Sequence, residues 1–143
     1  MKLISVYSPD LGLGFALEKL YELLAARHPD ESISHKKLPT MEEHVKFVLS
    51  HPYLAWYLIM DGWGGCRGAV YLTWKDEIGV HVFWRYLGVG VAVLELMRLH
   101  PRERYLAHIN PLNKGTTELF VRMGFRHIQN TYEHRRGPIV TTK

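Results

Sequence analysis

An apolar run from Ile78 to Phe83 passes through Arg85-Tyr86-Leu87-Gly88-Val89-Gly90 straight into the helical pattern of Val91 to Leu99, and no other stretch narrows the choice of fold so far. A strand that turns through two glycines into a helix leaves the first N–H groups of that helix without partners. They point outward, where the helix dipole also favours an anion. Gly88 and Gly90 let the backbone approach a ligand closely and tolerate unusual dihedrals, and Arg85 can add a charge-assisted contact to a phosphate oxygen. The spacing is R-x-x-G-x-G. It is not the P-loop pattern, because no Gly-Lys-Ser/Thr follows, and not the dinucleotide pattern, because position 93 is valine. On these residues alone a plain tight turn is the competing reading.

The next strand pattern, Tyr105 to Ile109, runs into Asn110-Pro111-Leu112-Asn113 and a short helical stretch that carries Phe120 and closes on Gly124-Phe125. Together the two stretches resemble the GNAT superfamily of N-acetyltransferases, whose second signature is a strand, an N-P-x-N turn, a short helix with an aromatic residue, and a Gly-Phe. The resemblance covers residues 54–133, and the amino-terminal third in outline. It implies acetyl-CoA as the acetyl donor. Arg85 and the amides of Leu87, Gly88, Val89 and Gly90 would hold the pyrophosphate, and the pantetheine arm would run beside the strand end at Val82-Phe83. Asn113 and Thr116 suit hydrogen bonds to that arm, and Asn113 equally suits a helix cap. In such folds the strands corresponding to Glu77–Phe83 and Leu106–Ile109 splay apart, and an exposed amide near Val82 receives the thioester oxygen.

Composition agrees with one soluble α/β domain. The chain has 143 residues, 47% hydrophobic and 22% charged, enough to bury a core without a second domain. We expect a single domain over 1–134 and a loose tail over 135–143. The net charge of +4 and the pI near 9.2 raise the question of nucleic acid. The charges are scattered, however, apart from Lys36-Lys37 and Arg135-Arg136, and fit a solvated surface with a pocket for an anionic cofactor. No nucleic-acid or membrane partner is expected. The single Cys66 cannot form an intrachain disulfide, and no signal peptide or apolar run of ~18 residues stands in the sequence. A cytoplasmic location is the expectation. Nine histidines suggest metal, but no H-E-x-x-H or zinc spacing is present, and no metal is expected.

Lys2–Tyr7 reads as a strand and Phe15–Arg27 as an amphipathic helix that His28-Pro29 ends. Gly12-Leu13-Gly14 is a turn at the helix entrance, since position 17 is leucine rather than the third glycine. Thr40 and Glu43 are spaced as a capping box for a second helix. Strands over Tyr53–Met60, Arg67–Trp74 and Glu77–Phe83 form a meander through the glycine-rich Asp61–Gly65 turn. A last strand is expected at His127–Tyr132. The predicted order is βααβββαβαβ, an α/β (α+β) fold of GNAT type with a mixed central sheet flanked by helices.

An ammonium has no lone pair, so acetyl transfer to an amine needs a general base. Glu77, at the start of the strand beside the cofactor, is the first candidate, and alternation puts His81 on the same face. Each also has an ordinary reading, as a solvated carboxylate and a packed imidazole. Many members of the superfamily protonate the leaving thiolate with a tyrosine where this chain has Phe120, so Tyr132, Tyr86 or water would serve if an acid is needed. The acceptor is a small-molecule or protein amine, met by a pocket involving Ser34, His35, Thr40, Glu43, Trp56 and Tyr71. Members of this size often form homodimers. The expected activity is direct acetyl transfer from acetyl-CoA to a primary amine in a ternary complex. Three alternatives stand beside it: another acyl donor, CoA binding with weak or no catalysis, and a small basic interaction domain without cofactor.

Overall fold

Apolar residues alternate along three consecutive strands and give the sheet two buried faces. The computed structural model describes residues 1–27, 37–83 and 86–137. In it β1 (Lys2–Ser5) pairs antiparallel with β2 (Ala55–Met60), β2 with β3 (Cys66–Leu72), and β3 with β4 (Glu77–Val82). A short β5 (Leu106–Ala107) adds to β4 in parallel, so the sheet is mixed, in the order β1-β2-β3-β4-β5. Two tight turns set the meander. Asp61 Oδ1 accepts from the N–H groups of Trp63 (2.7 Å) and Gly65 (2.8 Å), while its other oxygen meets Arg67. At the β3–β4 turn the Thr73 hydroxyl oxygen accepts from the Lys75 and Glu77 amides, and Asp76 adopts φ 60°.

Trp56, Leu58, Met60 and Ala69 pack on one face against Ala16, Leu20 and Leu23 of α1 (Leu13–Ala25) and Val48 of α2 (Met41–Leu49). On the other face Ile59, Val70, Leu72 and Ile78 meet Ala92, Val93 and Leu96 of α3 (Val89–Leu99) and Phe120 of α4 (Lys114–Arg122). Leu58 and Leu96 are fully enclosed; truncating either to alanine costs about 2–5 kcal/mol through lost transfer energy and the cavity left behind.

The mixed sheet flanked by helices follows the sequence pattern, and Thr40 and Glu43 make both bonds of a capping box on α2 (3.1 and 2.8 Å). Helix α3 starts at Val89, earlier than the pattern from Val91 indicated. One element is corrected. No strand occupies His127–Tyr132, so the described order is βααβββαβα without the final strand. The segment is tied by short-range bonds such as His127 Nε2 to the Gln129 carbonyl (2.6 Å), and Ile128 and Tyr132 are exposed. Alternation there has no apolar face to bury, and propensity alone does not hold a strand. The helix stop at His28-Pro29 lies outside the described residues.

Candidate active site

The parallel pairing of β4 with β5 covers only Glu77↔Leu106 and Ile78↔Ala107. It is tied at its start by Leu106 N–H donating to the Asp76 carbonyl (3.0 Å) and by Arg102 on the Asp76 carboxylate (2.8 Å). Past Ile78 the register ends. The Phe83 N–H donates back to Arg67 of β3 (2.9 Å), so by strand alternation the amides of Val80 and Val82 are directed away from β3, toward the gap. A cavity of about 970 Å³ passes through this gap. It is lined by residues of both sheet faces: Gly79 and His81 on the α1–α2 side, Val80 and Val82 on the α3–α4 side.

At one end of the cavity stands the amino terminus of α3. Its cap residue, Gly88, offers no side-chain bond, and no acidic residue stands in the first turn. The N–H groups of Val89 to Val91 precede the first helical bond, Ala92 N–H to the Gly88 carbonyl, and remain suited to an anion. The two glycines act differently from the sequence expectation. Gly88 has φ −89°, and neither Gly88 nor Gly90 takes a positive φ. A Cβ at 88 would overlap the Tyr86 ring, and one at 90 would approach Leu119 Cδ1 to 3.3 Å. Close packing, not dihedral freedom, is what these glycines supply. Val89 lines the cavity, Leu87 is almost wholly exposed, and Arg85 lies outside the described residues.

Across the gap, the N-P-x-N turn is held by Asn110, whose Oδ1 accepts from Leu112 N–H (2.9 Å) and whose carbonyl accepts from Asn113 N–H (2.8 Å). Asn113 caps α4, its Oδ1 accepting from Thr116 N–H (3.2 Å), and its amide NH₂ is a further donor. Asn113, Thr116 and Phe120 all line the cavity. Phe120 is 2% exposed and packs edge-on to Phe125, a wall without a proton to give.

Glu77 accepts from the Thr73 hydroxyl at Oε1 (3.1 Å) and meets His108 Nε2 at Oε2 (2.8 Å). These bonds, that from His108 foremost, hold its carboxyl below the usual carboxylate range. Both oxygens are engaged, and the residues lining the cavity include His108 but not Glu77. His81 lines it too; burial first, then the Arg27 charge, push its imidazole down to about 4, so it is neutral at pH 7. Phe83 packs against the α1–α2 core rather than lining the cavity, and Tyr132 stands 88% exposed, away from it.

No family model matches the chain, and no curated protein does. Among solved structures, a chimera of spermidine N-acetyltransferase SpeG from Vibrio cholerae and hSSAT superposes with a TM-score of 0.64 at 14% identity, over 90% of this chain and 84% of that one. The fold is that of the GNAT superfamily.

Within this GNAT-type fold the α1–α2 side of the cavity carries an aromatic group that the sequence reading only touched. Tyr53 and Tyr71 stack at 3.9 Å with an interplanar angle of 3°, and Trp56 stands edge-on to both. Gly79 makes this possible, because a Cβ there would overlap the Tyr71 ring. Of the residues expected around an acceptor, Trp56, Tyr71 and Glu43 line the cavity, Thr40 does not, and Ser34 and His35 lie outside the described residues. His108 was missed altogether. Its signal was register: residues 106 and 108 share a face, and Glu77 pairs with Leu106. Cys66 is a half-buried thiol bonded to the Gly68 carbonyl, and burial raises its pKa, the opposite of an activated nucleophile. Among the described residues no helix is long and apolar enough to cross a membrane.

Proposed function

We propose that this protein is an acetyl-CoA-dependent N-acetyltransferase that passes the acetyl group directly to an amine within a ternary complex. The observation that carries the reading is the β4–β5 gap: it lies beside an uncapped helix amino terminus and opens both sheet faces to one cavity. These parts fit the donor in order. The amides opening α3 suit its phosphates, Asn113 and Thr116 suit the amide groups of its arm, and the Val80 and Val82 amides suit the thioester oxygen as charge develops there. When bound, acetyl-CoA supplies an activated acyl carbon and a thiolate leaving group. The aromatic side of the cavity receives the amine, and spermidine, the substrate named for the structural relative, is a first amine to assay.

Thermal unfolding tests the reading. Acetyl-CoA at a hundredfold its dissociation constant should stabilise the fold by about 2.7 kcal/mol, with little effect from ATP, and an amine panel should then yield acetylated product. No shift with acetyl-CoA would remove the reading. The buried phenyl ring of Phe120 favours a second reading, a CoA binder with weak catalysis; a clear shift without turnover on any amine would select it.

A further inference from the structure

We infer that His108 is the group that takes the amine proton, with Glu77 as its positioning residue. The inference rests on the acetyltransferase reading and assigns the proton-transfer role within it. A carboxylate only accepts hydrogen bonds, so the 2.8 Å contact with Glu77 Oε2 requires the proton on His108 Nε2. That fixes the tautomer and leaves the Nδ1 lone pair as the proton acceptor. Glu77 is itself fixed, its other oxygen bonded to Thr73, whose hydroxyl oxygen also accepts the Glu77 amide (3.0 Å). His108 follows the last paired residue of β5, where the gap begins, and it lines the cavity. Its side chain is 52% exposed, which gives the proton a route to water.

In the transfer a C–N bond forms to the acetyl carbon and the C–S bond breaks. Of the three ammonium protons, one goes through His108 to water, one leaves the nitrogen as the amide forms and ends on the thiol, and one stays on the amide. The charged groups packed around this pair are Glu77 of β4, Lys75 in the preceding turn, and the Asp76–Arg102 ion pair at the strand base. Glu77 is the carboxylate that bonds the imidazole.

Two measurements test the assignment. In nitrogen-edited NMR of the free protein, His108 should appear as the Nε2–H tautomer, and Glu77→Gln should disturb it. A tautomer mixture indifferent to Glu77→Gln overturns the pair whatever the enzyme does. In steady-state kinetics His108→Gln should lower kcat by about 10²–10⁴ with the acetyl-CoA-dependent thermal shift retained. Glu77→Gln should lower it less, as the loss of a positioning residue rather than of the proton acceptor. A His108→Gln variant with near wild-type kcat, or a Glu77→Gln loss equal to it, overturns the assignment while leaving the transferase intact. A wild type that binds no acetyl-CoA, or acetylates nothing, overturns the transferase reading and the role of His108 with it.

Discussion

Helices α2 and α3 begin in opposite ways. At α2 Thr40 and Glu43 satisfy one another's backbone N–H groups, and two acidic residues stand in the first turn. At α3 a glycine precedes the helix, no side chain caps it, and no acid stands in the first turn. Both helices bear the same orphan donors and the same positive dipole end. One satisfies them with its own side chains, gaining stability; at the other no side chain of the first turn does so. The contrast is written at the level of single side chains, between a capped helix start and one left without a side-chain cap beside the cavity.

The largest effect should come from closing α3. Gly88→Glu puts a carboxylate at the anion site and displaces the Tyr86 ring, and it should abolish the acetyl-CoA thermal shift; a normal shift would place the phosphate site elsewhere. Opening α2 is the converse. Thr40→Ala should lower unfolding stability by about 1 kcal/mol in denaturant titration and leave the acetyl-CoA shift in place, since Thr40 lies outside the cavity lining. The smallest effect depends on pH. The Thr40 backbone N–H, above all, holds the Glu43 carboxyl below its usual 4.5. Its contribution is therefore present above that value and lost as pH falls through the lowered one. The stability difference between wild type and Glu43→Gln should thus shrink on acidification below about pH 4.5; a gap constant with pH would show that the carboxylate's charge has no part in the cap.

What the sequence made legible was whatever local chemistry decides. The Thr40–Glu43 box, the Asp61 turn, the strand-to-helix junction and the asparagine turn each depend on residues a few positions apart, and each stands where the pattern put it, except that α3 opens two residues early at Val89. The long-range pairs were not legible. Glu77 and His108 are far apart in the chain and meet through the two-pair register of β4 with β5, which no periodicity encodes. Glu77 was therefore read without its partner His108. The glycines at 79, 88 and 90 were visible, but the reason for each is a ring or side chain lying against it, and that is a property of the packed chain. At His127–Tyr132 the error ran the other way, with an expected strand that finds no partner.

Among the described residues β4 and β5 pair only at Glu77↔Leu106 and Ile78↔Ala107, with the Leu106 amide also bonded to the Asp76 carbonyl, so the strands share one short seam at their start. At ~3.3 Å per residue, Val82 lies about 13 Å from the last pair and His108 about 3 Å. A widening of the gap hinged at the last pair would therefore move Val82 about four times as far as His108. Tolerance of shape at the open end and a fixed position for His108 at the seam would then fall at different radii of one lever.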